Sequence, residues 1–318
     1  MPDRAAARLR RLAEELDESG LRIDASDARH ALVIEEIDKA LRPDVHERRA
    51  ASSGTIIEPR SDPATWTALA QLDIARGAVD QPLADARRFA DGRSSWLLRR
   101  TDGTNEWMVF DRPAGSERDL VVLATAFDAT IVQRHATGSV RAVGRFGVLR
   151  WQGFAWHHEP PVTSWIDAVT ASTDHGDPAV LEAILEFAVH DLGSRGIGAL
   201  LIYRPDTEPG PHVEERLPTP PPLRITQASH LAPLGHALAQ IDGAAVFDVD
   251  GVLRRIGVRL VPSADAEETV QALGGTRHTS GRRYSHDDPH ATVIAVSEDG
   301  PVSVLRNGAV LGRSHTGD

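Results

Sequence analysis

A glycine-rich stretch near the C-terminus carries the residue types of a phosphate site. Residues Gly274–Gly281 read Gly-Gly-Thr-Arg-His-Thr-Ser-Gly. Glycines allow backbone N–H groups to approach an anion closely, and Arg277 and His278 add charge-assisted hydrogen-bond donors. The stretch therefore predicts a turn that binds phosphate groups.

A second short motif, Asp242-Gly243-Ala244, lies roughly thirty residues earlier. It places one carboxylate at the start of an apolar strand. A carboxylate in that position is able to hold a metal ion or to activate a reacting hydroxyl. The two motifs together indicate chemistry on a phosphorylated substrate.

Composition limits the kinds of phosphate site that the chain can build. The sequence of 318 residues holds no cysteine and a single lysine, Lys39, which lies in a predicted N-terminal helix. A Walker A loop and a protein kinase site each need a phosphate-binding lysine, so neither is expected. The lack of cysteine also excludes disulfides, thiol nucleophiles and zinc–thiolate sites. A phosphate site must therefore use arginine, histidine, backbone amides and metal.

Charge and hydropathy limit the partners. The formal net charge of −11 argues against broad binding to nucleic acid or to anionic membranes. No apolar run approaches the roughly 18 residues of a membrane span, and the N-terminus lacks the apolar core of a signal peptide. We therefore expect a cytoplasmic protein with no membrane and no nucleic-acid partner.

Five segments in a fixed order resemble the nucleotide-binding domain of diadenylate cyclases, the family that includes the DNA-integrity-scanning enzyme. The resemblance spans roughly residues 170–312 and says nothing about the N-terminal half. The five segments are, in chain order, Gly198–Ile202, Asp242–Ala244, Gly257–Leu260, Gly275–His278, and a closing hairpin formed by Val293–Glu298 and Val304–Gly308.

This resemblance implies both a fold and a reaction. The fold is an α/β domain with a mixed central sheet flanked by helices. In the family, two copies of the domain hold two ATP molecules face to face, and the 3′-hydroxyl of each attacks the α-phosphate of the other. The products are the second messenger cyclic di-AMP and two pyrophosphates. The resemblance thus implies ATP as substrate, Mg²⁺ or Mn²⁺ as cofactor, and a homo-oligomer that is at least a dimer.

The resemblance also assigns roles to single residues. Asp242, Arg277 and His278 match catalytic positions, and Asp242 and Glu298 match positions near the metal. The nucleotide-binding positions are Gly243, Ala244, Leu260, Thr276, Thr279, Ser297 and Glu298.

Each of these residues also has a simpler structural explanation. Asp242 and the pair Ser297–Glu298 suit ordinary turns, and Arg277 suits a surface salt bridge. His278 suits a partly buried histidine with satisfied partners, and Leu260 suits core packing. The order and spacing of the motifs favour the functional interpretation.

The sequence departs from the family pattern at Thr279, where an arginine usually completes an Arg-His-Arg motif. A hydroxyl carries no charge, whereas an arginine can bind phosphate through two parallel hydrogen bonds. Arg282 or Arg283 is a candidate to replace the missing charge from the next turn.

The chain is predicted to have three parts. They are a helical arm over residues 1–50, a smaller α+β accessory domain with a candidate sensory role over 51–165, and the catalytic α/β domain over 166–318. All six tryptophans lie between Trp66 and Trp165, which indicates differently built halves. Ser26 is the predicted N-cap of a second helix in the arm. Asp177 and Pro178 predict a helix start in the catalytic domain, and Gly193 predicts its end.

Two other functions remain open at this point. One is a catalytically silent sensor that binds a nucleotide or a cyclic dinucleotide, since Thr279 departs from the family motif. The other is a nucleotidyltransferase with an altered nucleotide choice. Pyrophosphate release separates the first from a cyclase, and the mass of the product separates the second.

Overall fold

The fold is described from a computed structural model, which covers residues 2–24, 26–151, 153–170, 176–205, 210–272, 274–298 and 301–314. The chain divides into two compact units, the first ending at Pro161 and the second beginning at Val162. Each unit contains a mixed sheet flanked by helices, so the predicted α/β and α+β classes are confirmed.

The first unit is built on an eight-stranded sheet with the order β10-β9-β8-β7-β3-β5-β6-β4, in which only β3 and β5 run parallel. A separate ribbon pairs β1 with β2. Its elements are α1 (Pro2–Glu18), α2 (Ala28–Leu41), β1 (Val45–His46), β2 (Arg49–Ala50), β3 (Ser53–Ile57), α3 (Trp66–Ala70), β4 (Ile74–Ala78), α4 (Leu83–Ala86), β5 (Ser95–Arg99), β6 (Asn105–Phe110), α5 (Glu117–Phe127), β7 (Thr130–Arg134), β8 (Val140–Gly144), β9 (Gly147–Trp151) and β10 (Trp156–Glu159).

Helices cover both faces of this sheet. Successive residues of a strand point to opposite faces, so Ile56 and Ile57 of β3 enter different cores. Ile56 packs in a cluster with Leu120 of α5, and Ile57 packs in a cluster with Ile37 of α2. The two N-terminal helices therefore belong to the core of this unit.

The start of α2 differs from the prediction. Ser26 was the expected N-cap, but its hydroxyl donates to the carboxylate of Asp24. Asp27 caps the helix instead, and its carboxylate accepts from the N–H of Arg29 at 2.7 Å. Both residue types are good caps, and the local turn decides between them.

The second unit is built on a seven-stranded sheet with the order β12-β14-β13-β11-β15-β16-β17. Strands β11 and β13 run parallel, and the other pairs are antiparallel. Its elements are α6 (Thr163–Thr170), α7 (Pro178–Glu186), β11 (Ala199–Tyr203), β12 (Val213–Glu214), α8 (Ala228–Leu238), β13 (Ala244–Phe247), β14 (Leu253–Leu260), α9 (Ala264–Thr269), α10 (Thr276–Asp287), β15 (Thr292–Val296), β16 (Val302–Arg306) and β17 (Ala309–Arg313).

The central strand β11 is buried along its whole length. Leu201 and Tyr203 enter the core that holds α7 and α8, and Leu200 and Ile202 enter the core on the side of α10. Burial on both faces explains the continuous apolar run that the sequence shows at this strand.

The helix that begins at Pro178 starts as predicted, since Asp177 accepts from the N–H of Ala179. Its predicted end at Gly193 is wrong. The chain passes through a π-helical turn and then a 3₁₀ turn over Gly193–Arg195, and Gly196 ends it with a φ of 65°. Gly193 keeps right-handed helical angles, so the left-handed stop falls three residues later.

The predicted phosphate-binding turn over Gly274–Gly281 is for the most part helical. Gly275, with φ 86°, is the N-cap of α10, and the helix begins at Thr276. Gly281 lies inside this helix. A Cβ at this position would come within 3.1 Å of Leu200 and 3.0 Å of Val293, so a larger residue would not fit without moving them. This glycine thus serves close packing of α10 on the sheet.

Candidate functional site

Three neighbouring strands of the second unit bring the predicted motifs to one end of the sheet. Asp242 and Gly243 directly precede β13, and Gly198 directly precedes β11, which runs parallel to β13. Strand β15 runs antiparallel to β11, so Glu298 follows its last residues at the same end. Topology alone therefore gathers residues that are as much as 100 positions apart in sequence.

A cavity of about 350 Å³, here called the edge cavity, lies at this end of the sheet. Four predicted site residues line it: Asp242, Gly243, Arg277 and Glu298. The other lining residues are Gly196, Ile197, Gly198, Leu238, Ala239, Gln240 and Ile241. The edge cavity thus holds two carboxylates and one guanidinium between short backbone segments.

Arg277 crosses the start of β11 to reach Glu298. Its Nη1 donates to Oε1 of Glu298 at 2.9 Å. The two side chains are 38% and 67% exposed, so solvent weakens the pair. A Cβ built at Gly198 would overlap the guanidinium of Arg277 and would lie 3.0 Å from Cγ of Glu298. The salt bridge therefore depends on a glycine at position 198.

Gly243 is required by the backbone. Its φ is 106°, a conformation that residues with a Cβ rarely adopt. A Cβ there would also lie 2.7 Å from the carbonyl carbon of Gly257 and 2.9 Å from the carbonyl oxygen of Val258. The glycine of the Asp-Gly-Ala motif therefore lets β13 start close to β14, which fixes the position of Asp242. The carboxylate of Asp242 accepts from the N–H of Gly243 at 3.0 Å and is exposed.

The first turn of α10 supplies backbone donors beside Arg277. Gly275 has no side chain with which to cap the helix, and no side-chain cap is present. The first N–H groups of a helix lack intrahelical partners and carry partial positive charge, which favours a bound anion. The sequence predicts that a glycine-rich turn supplies the phosphate-binding N–H groups. In the structure, these N–H groups belong to the N-terminus of α10.

His278 does not line the edge cavity. It is 5% exposed and packs inside the unit, and no hydrogen-bond partner of its Nε2 is present among the described residues. Burial, with a smaller contribution from Arg313, lowers the pKa of the imidazole. A neutral ring is the form that these surroundings favour.

The remaining predicted positions lie around the cavity without lining it. Ala244 is buried at the start of β13, and Leu260 is half-buried at the end of β14. Thr276 is exposed at the start of α10, and Ser297 is half-buried after β15. The hydroxyl of Thr279 donates to the carbonyl of Gly275 at 3.1 Å.

The proposed replacement for the family arginine is not supported by the geometry. Arg282 donates to the carbonyl oxygens of Gly308 and Gln271, at 2.5 and 3.2 Å. Arg283 lies 3.9 Å from Glu267 of α9. Neither side chain lines the edge cavity. Both arginines lie on α10, and the helix directs their side chains away from the edge cavity. The predicted loose turn would have left these side chains free to reach it.

The donor set suits a metal that is shared with a substrate. Mg²⁺ is usually held by one or two carboxylates together with substrate phosphates and water. Asp242 and Glu298 are two such carboxylates on one cavity. Among the residues that the structure describes, no group of three or more histidine, cysteine or acidic side chains could hold an ion by itself. Asp242 and Glu298 could therefore hold a metal ion only together with ligands from a bound molecule or water.

A larger cavity of about 520 Å³ lies elsewhere in the second unit. Arg204, Asp248, Arg255 and Tyr284 are among its lining residues, and the predicted site residues are not. Its arginines are already paired, Arg204 with Asp288 at 2.9 Å and Arg255 with Glu215 at 2.7 Å. Volume alone would have favoured this cavity, which contains none of the predicted site residues.

Gly198 and the short segment Leu238–Ile241 are the parts of the site that sequence reasoning missed. Gly198 was read only as the start of a strand. A glycine at the start of a fully buried strand can mark a close approach by another group, and that signal was present. The contact itself joins residues 79 positions apart, so no local pattern shows it.

Comparisons with known proteins divide the chain in the same way. The DAC family model, described as DisA bacterial checkpoint controller nucleotide-binding, matches residues 186–310. The DACNK model, described as a probable sensor domain, matches residues 10–159. No curated protein matches the chain.

Two solved structures are similar to part of the chain. A hypothetical membrane spanning protein from Bacillus cereus is 18% identical, with a TM-score of 0.33, over 42% of this chain and 69% of that one. A double mutant of DacA from Staphylococcus aureus is 20% identical, with a TM-score of 0.27, over 48% of this chain and 88% of that one. In the described part of this chain, every helix is too short or too polar to cross a membrane. With the family match and the ordered motifs, residues 186–310 form a DisA-type nucleotide-binding domain.

Proposed function

We propose that this protein is a diadenylate cyclase, which condenses two ATP molecules into cyclic di-AMP and two pyrophosphates. The observation that carries the proposal is the edge cavity, where Asp242, Arg277 and Glu298 meet. In the predicted cytoplasmic location the protein would have direct access to ATP.

Groups in and beside the cavity would support this reaction. Arg277 and the N-terminus of α10 would bind and orient the triphosphate, which is the main task in phosphoryl transfer. Asp242 and Glu298 would hold Mg²⁺ or Mn²⁺, which would neutralise charge on the phosphates. Asp242 is also the candidate for accepting the proton of the 3′-hydroxyl. Leu260, Ser297 and the other predicted positions would contact the nucleotide around this centre.

The reaction joins two nucleotides, and one edge cavity offers one set of phosphate-binding groups. Asp242 and Glu298 are exposed, so a second copy of the domain is able to approach them. We therefore propose that a homodimer or a higher oligomer assembles the complete site.

The test is product analysis with a matched control. The full-length protein is incubated with ATP and Mg²⁺ or Mn²⁺, and the products are separated and weighed by mass spectrometry. Wild type is expected to form cyclic di-AMP, and so is Asp250→Asn, which changes an exposed aspartate outside the edge cavity. Asp242→Asn is expected to form none. Equal activity of Asp242→Asn and wild type would overturn the assignment of Asp242.

A catalytically silent nucleotide sensor is the second candidate function. The observation in its favour is that Thr279 replaces the family arginine and that Arg282 and Arg283 are engaged elsewhere. This function predicts ATP binding by calorimetry without pyrophosphate release. If that result is obtained at high protein concentration, the gain of activity in Thr279→Arg becomes the decisive experiment.

A linear or non-adenine product in the same assay would instead favour a nucleotidyltransferase with altered nucleotide choice. The mass spectrum separates this outcome from cyclic di-AMP without a further experiment.

A further inference from the structure

The first unit contains a cavity of its own, which is separate from the two cavities of the second unit and has no role in the proposed reaction. This arginine cavity has a volume of about 380 Å³. It is lined by Gly20, Leu21, Arg22, Ile23, Arg29, His30, Val33, Thr130, Arg145 and Phe146. The volume is within the range of cavities that bind small organic molecules.

Its polar lining is strongly basic, although the whole protein carries a net charge of −11. Arg22, Arg29 and Arg145 line it, and no carboxylate is among the described lining residues. Arg145 is already held by Asp128, with two hydrogen bonds of 2.7 Å. The lining itself is therefore positively charged, and the carboxylates of Asp27 and Asp128 near Arg29 lie outside it.

Arg29 is the central donor of the arginine cavity. It is half-buried, and its guanidinium donates to the hydroxyl of Thr130 at 3.2 Å. Burial, together with the like charges of Arg60 and Arg145, lowers the pKa of Arg29, and Asp128 and Asp27 offset this only in part. In the free protein this cation is therefore held at a cost, which a bound anion would relieve.

His30 adds a neutral donor next to Arg29. Its Nδ1 accepts from the N–H of Asp24 at 2.9 Å, so the proton of the neutral ring lies on Nε2. His30 lines the same cavity as the three arginines. The ring therefore supplies hydrogen-bond donation to an anion without needing to be charged.

The rest of the wall is apolar. Leu21, Ile23, Val33 and Phe146 line the cavity beside the arginines. A ligand that fills it would thus need an apolar body as well as an anionic group. Phe146 is half-buried, so one part of its ring is available for contact with such a body.

We propose that the arginine cavity of the first unit is the binding site for a small organic phosphate, a phosphomonoester with an apolar or aromatic body. A phosphomonoester carries about two negative charges at neutral pH and three terminal oxygens. Its negative charge suits a lining of three arginines without a carboxylate, and its three terminal oxygens offer more hydrogen-bond acceptors than the two oxygens of a carboxylate do. The chemical class of the ligand thus follows from the residues that line the cavity. Such a ligand would be the molecule that the first unit, which matches a probable sensor domain, detects.

The test is calorimetric titration of the full-length protein with phenyl phosphate at low ionic strength. We expect binding that weakens with added salt, because salt screens the charges of the arginines. We also expect binding to weaken at least about tenfold in Arg29→Gln, because the substitution removes a hydrogen bond between two charged groups. Arg10→Gln is the matched control, because Arg10 is exposed on α1 and lies outside the cavity. Its affinity is expected to equal that of wild type.

Other arms exclude the alternatives. Arg145→Gln, at a side chain that is 75% exposed, should also weaken binding without endangering the fold. Benzoate should bind more weakly than phenyl phosphate, and equal binding would overturn the assignment to a phosphate. Affinity that falls in Arg277→Gln but not in Arg29→Gln would place the ligand in the edge cavity and overturn the proposal. An absence of phenyl phosphate binding to wild type would also overturn it.

A stability measurement separates a ligand site from a structural role of Arg29. If Arg29 serves only to hold α2 on β7 through Thr130, Arg29→Gln must lower the denaturation midpoint. We expect a midpoint equal to or above that of wild type, because the substitution removes a half-buried positive charge that lies near Arg60 and Arg145. A clear loss of stability would contradict the proposed role.

Discussion

Arg277 and Glu298 form a salt bridge of 2.9 Å that passes directly over the backbone of Gly198. Arg277 lies in the first turn of α10, and Glu298 follows β15. The pair thus joins a helix N-terminus to a strand end across a third element. It holds the guanidinium at the edge cavity before any substrate is present.

Gly198→Ala should weaken ATP binding about tenfold or more while leaving the protein folded. The added Cβ would displace the guanidinium of Arg277, which removes a charge-assisted contact to phosphate. Calorimetric titration with ATP measures the effect, and the denaturation midpoint checks the fold. Gly77→Ala is the control, since a Cβ there meets no atom within 4 Å. Unchanged ATP affinity in Gly198→Ala would remove Arg277 from the binding site.

Glu298→Gln should reduce cyclase activity more than it reduces folding stability. The substitution removes a candidate metal ligand and the partner of Arg277, but the side chain is 67% exposed, so its loss costs the fold little. The rate of pyrophosphate release at several Mg²⁺ concentrations measures the effect. Glu268→Gln, an exposed glutamate of α9, is the control. If Glu298→Gln and Glu268→Gln are equally active at every Mg²⁺ concentration, Glu298 is not a metal ligand.

Glu159 should make the first unit less stable as the pH rises. It is buried, and burial raises its pKa to about 7, against a smaller opposing effect of Arg150. A carboxyl with a raised pKa in the folded state binds its proton more tightly there than in the unfolded chain. Its contribution to stability is therefore complete below about pH 4.5 and is lost as the pH rises through about 7.

The size of this effect is at most about 3 kcal/mol, at about 1.4 kcal/mol for each unit of pKa. Urea denaturation at pH 5 and pH 8 measures it by tryptophan fluorescence. Glu159→Gln should reduce the difference between the two pH values, because the amide does not ionise. An identical pH dependence in the variant and in wild type would show that other groups control it.

Glu36 should be one of the most sensitive positions in the first unit. Its carboxylate accepts from Arg87 and Arg99 at 2.5 Å and from the hydroxyl of Thr55 at 2.9 Å. Removing one partner of a buried ion pair leaves uncompensated charge and typically costs about 3–5 kcal/mol. Glu35, which is 43% exposed, also pairs with Arg87 at 2.9 Å and with Arg99 at 3.1 Å. Glu36→Gln should therefore lower the free energy of unfolding by less than that amount, but by more than a substitution at the surface.

Denaturant titration followed by tryptophan fluorescence suits this measurement, since the first unit contains Trp66, Trp96, Trp107, Trp151 and Trp156. Glu14→Gln, at an exposed position on α1, is the matched control. A loss no larger than that of the control would mean that the arginines find other partners.

The sequence predicted best those features that local chemistry determines. Asp177 and Pro178 start α7 as expected. Asn307 and Gly308 are a residue pair that favours a tight turn, and they form one with φ of 49° and 71°. The turn connects β16 to β17, a strand that the sequence analysis does not predict. The strand is short and mostly exposed, so it lacks the apolar alternation by which strands are recognised.

Features that depend on tertiary contacts were less predictable. The three glycines in Gly274–Gly281 favour a turn, yet Gly281 is a helical residue packed on β15. The convergence of Asp242, Arg277 and Glu298 in one cavity was implied by family resemblance and not by spacing. Their chemical roles stay predictions until activity is measured.

The glycine at position 198 has a consequence for reading natural variation. Every amino-acid replacement of a glycine adds at least one carbon, and here that carbon would occupy the space of the Arg277 guanidinium. Position 198 can therefore be used to sort related sequences from newly sequenced genomes. Chains that keep Arg277 and Glu298 but carry a side chain at position 198 are expected to hold this guanidinium in a different place and to bind ATP less tightly.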